Sequence, residues 1–122
     1  MKVHVNRIYA DASGETHLAD DEMALTAGDF APPADPVLLS AWVAASRYAL
    51  VAFPQGWLGE WHPAPARQVH FFLTGEGMVE VSDGGQRPYR AGDVWLVEDV
   101  AGRGHRTTAY IDSLSVVVRL DA

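Results

Sequence analysis

Apolar and polar residues alternate with a period of two along most of this chain, the spacing of strands that bury one side. Val3 and Val5 alternate with His4 and Asn6, and Met23 and Leu25 with Glu22, Ala24 and Thr26; the turn-rich DASGE lies between the two runs. AGDFAPPADP is the longest loop-like segment, because Pro32, Pro33 and Pro36 remove backbone donors and disfavour helix before each ring. VLLSAWVAASRYAL is the one helical competitor: Leu38, Trp42, Ala45 and Ala49 share a helical face, and helix and strand stand level over its first half. From Arg47 to Phe53 the pattern is that of a strand, closed by Pro54 and Gly56.

The second half is cleaner. Gln68 to Leu73 and Gly77 to Val81 are separated by Thr74-Gly75-Glu76, and Ser82-Asp83-Gly84-Gly85 turns into Gln86 to Arg90. Ala91-Gly92-Asp93 turns again into the apolar run Val94 to Val97. A glycine-spaced loop from Glu98 to Gly104 leads to His105, then Arg106 to Ile111, Asp112-Ser113 and a last strand from Leu114 to Leu120. Strands at this density need closure or a second sheet to hide their edges, which predicts an all-β single domain. Its organisation is read as N-terminal strands and a proline-rich loop over residues 1–36, packed on a barrel over 37–122.

Composition narrows the function. At 122 residues and 48% hydrophobic, the chain can bury one core without staples. A net charge of −7, with no run of Lys or Arg, argues against nucleic-acid and membrane partners and for a small-molecule ligand. The absence of cysteine excludes thiolate chemistry and Cys-type zinc sites. MKVHVNRIYA lacks the apolar core of a signal peptide, so a soluble, cytoplasmic protein is expected. No G-x-S-x-G elbow or Walker loop occurs, so serine hydrolysis and a nucleotide cofactor find no support. Glu98 and Asp99 form a candidate carboxylate pair for acid/base work, but they precede a glycine loop, where carboxylates commonly accept backbone N–H bonds, and that structural role is the favoured one. Arg67 is read as an ion-pair partner of Glu60 or Glu98, and His4 and His17 as solvent-facing.

Two His-bearing segments, WHPAPARQVH and GDVWLVEDVAGRGH, flank the central hairpin, an arrangement that resembles the cupins. That family carries a first motif with HxH, then E, then G, and a second with G-D, a P-x-G turn and a late H. With Gly75 on the closing glycine of the first motif, His62 falls on one leading histidine and Gln68 on the Glu ligand. Gly92, Asp93 and His105 match the second motif, with Glu98 in place of the proline. The likeness is closest to small bacterial single-domain cupins that carry DWHxAPRRQ, SGExEVxVSDG and FGPGDVLLVEDTTGKGH. The present chain reads EWHPAPARQ, TGEGMVEVSDG and YRAGDVWLVEDVAGRGH, with His70 where an apolar residue is expected.

The resemblance implies a double-stranded β-helix (jelly-roll) barrel with an interior site. If Gln68 faces inward like the equivalent cupin Glu, then His70 and Phe72 do too, while Val69, Phe71 and Leu73 face away. Glu60 and His62 share a face, so Glu60, His62, Gln68, His70 and His105 are expected in one cavity, with Trp57, Trp61 and Tyr110 at its rim. Two chemistries suit the set. One places a divalent ion (iron, zinc, manganese or nickel) on His62, Gln68 and His105, completed by His70 or Glu60, for metal-assisted catalysis on a small organic substrate. The other is metal-free acid/base isomerisation, dehydration or cyclisation with His70, the first choice, or His62 as proton shuttle, oriented by Glu60 or Gln68; Tyr110 is a further catalytic candidate. A non-catalytic binding barrel is the third reading. The pocket candidates are Trp57, Trp61, Phe72 and Gln68, and because small cupins often pair through an N-terminal strand, a homodimer is expected.

Overall fold

The computed structural model describes residues 1–120; residues 121 and 122, the end of the expected barrel segment, lie outside the described residues. It is all-β. The strands are β1 (Lys2–Ala10), β2 (Thr16–Ala24), β3 (Thr26–Gly28), β4 (Val37–Leu39), β5 (Arg47–Phe53), β6 (Gln68–Thr74), β7 (Glu76–Val81), β8 (Gln86–Arg90), β9 (Val94–Val97), β10 (His105–Ala109) and β11 (Ser113–Arg119). No helix occurs among the described residues, so none of them forms a helix long and apolar enough to cross a membrane.

A six-stranded sheet runs in the order β2-β1-β9-β6-β11-β5, a three-stranded one β10-β7-β8, and β3 pairs with β4. The large sheet is mixed, since β1 runs parallel to β9 while its other neighbours are antiparallel. Two isolated bridges, Leu58↔Thr108 and His62↔His105, lay residues 58–62 along the open side of β10. The sheets form an arrangement compatible with a β-sandwich, and they do not close into a continuous hydrogen-bonded barrel among the described residues. Ile8, Phe72, Trp95 and Val97 from the large sheet pack with Val79, Val81 and Tyr89 from the small one, and Phe72 stacks on Tyr89 at 4.3 Å. Stacking between sheets is an efficient use of apolar area, because offset aromatic pairs gain ~0.5–1.5 kcal/mol beyond burial.

The turn chemistry is local. Asp11 Oδ1 accepts the backbone N–H of Ser13 and of Glu15, an Asx-type cap that closes the β1–β2 hairpin. The helix weighed over residues 37–49 does not form. Val37–Leu39 pairs with β3 and Arg47–Phe53 with β11, which leaves residues 40–46, two turns at most, and so short a helix cannot repay its nucleation.

Strand parity sorts the large sheet into two faces. Gln68, His70 and Phe72 point to the interior with their cross-strand partners Arg119, Val117 and Ser115. Val69 and Phe71 point outward with Val5, Met23, Val94, Leu96, Val118 and Leu120, which line a shallow apolar groove of about 320 Å³.

Candidate functional site

Between the two sheets lies a cavity of about 270 Å³. Its walls are apolar and aromatic, with Phe53, Trp57, Phe72 and Trp95 among them, while His62, Gln68, His70, His105, Thr107 and Arg119 supply polar groups. Such a balance of greasy wall and few convergent polar groups is typical of small-molecule sites.

His105 opens β10 and is 9% exposed. Its Nδ1 donates to Asp99 Oδ2 at 2.7 Å, and Asp99 is fully buried. A carboxylate only accepts, so this bond fixes the tautomer: Nδ1 carries the hydrogen and Nε2 keeps a lone pair. The second carboxylate oxygen, Oδ1, is buried without a hydrogen-bond partner among the described residues, an arrangement rare outside functional or strained sites.

His62 meets His105 main chain to main chain, each N–H on the other's carbonyl at 3.1 and 3.0 Å, and the two rings lie 4.9 Å apart. His62 Nδ1 donates to the Glu60 carbonyl at 2.7 Å, so this ring too presents Nε2. Gly104 permits the approach. Its φ is +77°, and a Cβ there would stand 2.2 Å from the His62 carbonyl.

His70 is engaged at both nitrogens. Nδ1 lies 2.8 Å from Ser115 Oγ and Nε2 lies 3.3 Å from Gln68 Nε2. The Gln68 amide nitrogen donates, so His70 Nε2 accepts and Nδ1 donates to the serine. Burial, and secondarily repulsion from His105 when that ring is protonated, push the His70 pKa down to about 4, so the His70 ring is neutral at pH 7.

The structure gathers His62, Gln68, His70, His105, Phe72 and Trp57 around the cavity and leaves Glu60, Trp61 and Tyr110 off its lining. Trp61 alternates with His62 and therefore faces the other way, where its ring lies under the Arg106 guanidinium. Glu60 is exposed and touches His62 only through its carbonyl, and Tyr110 is half exposed in the turn after β10.

Glu98 and Asp99 do not serve the loop backbone as expected. Glu98 takes Arg7 Nε at 2.6 Å and Arg67 Nε at 2.5 Å, and Asp99 holds His105. Asp99 is the site residue that sequence reasoning set aside in favour of a backbone-capping role. The usable signal was an acidic residue six positions ahead of the motif histidine, across a glycine loop able to fold back. No group of three or more His, Asp or Glu side chains poised to hold a metal occurs among the described residues. No family model and no curated protein matches the chain.

Proposed function

We propose that this chain is a cupin-type barrel protein that catalyses proton transfer on a small organic molecule in its interior cavity, an isomerisation, dehydration or cyclisation. The fold part of the reading is supported by the strand order. β5-β11-β6-β9 faces β10-β7-β8, and residues 58–62 extend the latter by a fourth strand-like segment, two four-membered layers as in a jelly roll. The chemical part is carried by one observation, the fully buried Asp99 carboxylate on His105 Nδ1. The carboxylate orients the ring and stabilises the imidazolium that forms when Nε2 takes a proton, the logic of every His–carboxylate pair used as a base. The same His105 Nε2 then returns that proton at another atom of the substrate, which restores the neutral ring, while the lone pair of His62 Nε2 accepts a hydrogen bond from the substrate. His70 is neutral and committed to Ser115 and Gln68, so it suits a polar wall better than a shuttle.

The test needs no knowledge of the natural substrate. A panel of small enolisable ketones and aldehydes in D2O is followed by proton NMR for deuterium uptake. Catalysed exchange is expected, falling by roughly 10²–10⁴-fold in His105→Ala and strongly in Asp99→Asn. Exchange that both variants leave intact, or wild-type protein that binds these compounds without exchange, overturns the reading, the latter in favour of a binding barrel.

A metal-assisted reading rests on a different observation: both His62 and His105 anchor Nδ1 to an acceptor and leave Nε2 open, as ligating histidines do. In that reading the two imidazoles and the Gln68 amide oxygen would hold the divalent ion. An ion there would supply Lewis-acid polarisation of a carbonyl. The amide oxygen is uncharged and holds a cation more weakly than a carboxylate. Elemental analysis separates the readings: near-stoichiometric metal, removed by both His62→Ala and His105→Ala, selects the metal.

A further inference from the structure

The cavity's Arg119 stands apart electrostatically. Lys2, Arg7, Arg67, Arg87, Arg103 and Arg106 each hold a carboxylate partner. The Arg119 side chain lines the cavity, half-buried, and its guanidinium has neither carboxylate nor hydrogen-bond partner among the described residues. Directly opposite it on the neighbouring strand stands Arg47, equally without a carboxylate partner among the described residues.

Cross-strand partners in register project to the same face of a sheet, with Cβ atoms ~4.5–5.5 Å apart. The two side chains therefore leave the sheet side by side on its cavity-facing side, Arg119 lining the cavity and Arg47 exposed beside it. Like charges in that position destabilise a strand pair. Arg90, on β8 and off the cavity lining, also has no carboxylate partner among the described residues, so what singles the place out in a chain of sixteen acidic residues is two such arginines in cross-strand register. On its other side Arg119 is paired with Gln68, whose amide reaches His70, so the cationic end adjoins the polar end of the cavity.

We propose that Arg119 and Arg47 form an anion subsite, and that the ligand is an organic acid whose carboxylate or phosphate sits on the two guanidiniums while its apolar or aromatic body occupies the cavity. Resting on the proton-transfer reading, this names the substrate class of the same site. Guanidinium forks match carboxylate and phosphate geometry with two parallel bonds, and a partly dehydrated site strengthens them. The anionic group would fix the register of the ligand, leaving its reactive carbon to the imidazoles.

Benzoate, phenyl phosphate and the neutral benzyl alcohol serve as probes, with affinities measured by titration calorimetry and NMR. Saturable binding of at least one anion is expected, at least tenfold tighter than benzyl alcohol. Arg119→Gln is expected to weaken that anion at least tenfold, Arg47→Gln less, and Arg119→Lys to restore part of the loss. Benzyl alcohol binding stays unchanged in all three variants. Preference between benzoate and phenyl phosphate identifies the anionic group. Relief of the like-charge pair is expected to leave Arg119→Gln with a melting temperature equal to or above wild type, and Arg47→Gln serves if that variant does not fold. Absence of anion binding, equal affinity for benzyl alcohol, or affinity insensitive to these arginines overturns the subsite. His105→Ala separates the two proposals: it removes proton exchange and leaves benzoate affinity within a factor of three.

Discussion

The two faces of the six-stranded sheet differ in composition: the inward face mixes buried apolar residues with polar ones, and the outward face is apolar. The inward face carries Gln68, His70 and Arg119 into the cavity, and the outward face presents Val69, Phe71, Leu96 and Val118 in a groove that Val43 and Ala45 also line. On β6 the contrast falls on adjacent residues: Phe72 is 6% exposed and Phe71 41%. An inward polar set must be hydrogen-bonded to be tolerated, and here His70, Gln68 and Ser115 satisfy one another. The outward apolar residues instead pack side by side along one groove, where most of them are at least partly buried. The asymmetry teaches that chemistry in this fold is bounded by parity: a residue acts in the cavity only if it shares the phase of Gln68.

Truncating the two phenylalanines breaks the comparison most directly. Phe72→Ala should cost ~3–5 kcal/mol of unfolding free energy, the usual loss for a buried phenylalanine, with the Tyr89 stack lost as well. Phe71→Ala should cost under about 1 kcal/mol. Urea denaturation of both variants measures the difference, and equal losses would mean that the outward face is covered in solution.

The interior face is also where pH bites hardest. His70 is held near a pKa of about 4 in the folded protein against about 6.5 unfolded, so the unfolded chain binds more protons between those values. Stability is fully present above pH 6.5 and falls as pH drops towards 4, by at most about 3 kcal/mol. Urea midpoints from pH 7 to pH 4 should show this slope in wild type and lose most of it in His70→Gln.

A smaller effect of opposite sign comes from outside the cavity. His17 lies 2.7 Å from Asp11 and 2.9 Å from Asp83, and hydrogen bonds to Asp11 first and Asp83 second raise its pKa. Its contribution is fully present below pH 6.5 and is lost as pH rises through the raised value. His17→Ala should therefore lower the midpoint modestly at pH 6 and by less at pH 9. A drop that grows at alkaline pH would contradict the clasp.

The strands after residue 67 were legible because the runs are short and all but the last connection, Tyr110-Ile111-Asp112, carry a glycine. Gln86–Arg90 and Val94–Val97 match to the residue, as does Arg47–Phe53 earlier in the chain. The interior phase of Gln68, His70 and Phe72 was legible from strand parity. Asp99 was not, since a carboxylate in a glycine loop carries no periodicity, and its use depends on how the loop folds over His105. Arg119 was hidden differently. Its strand was legible, but only the pairing of β11 with both β5 and β6 places it opposite Arg47 and Gln68. Trp61 shows a reading at odds with itself, for it was expected at the rim together with its neighbour His62, while strand alternation separates the two.

The reciprocal main-chain bonds between His62 and His105 tie together residues far apart in sequence, with β6, β7, β8 and β9 threaded between them. Closing so long a loop is entropically costly and is completed only when the intervening strands are in register. The imidazole pair is therefore a late product of folding: the β7–β8 hairpin forms from local contacts, whereas the chemistry exists only in chains that have finished. A chain that has not brought these strands into register lacks the paired imidazoles, so any property that depends on the pair reports native molecules alone.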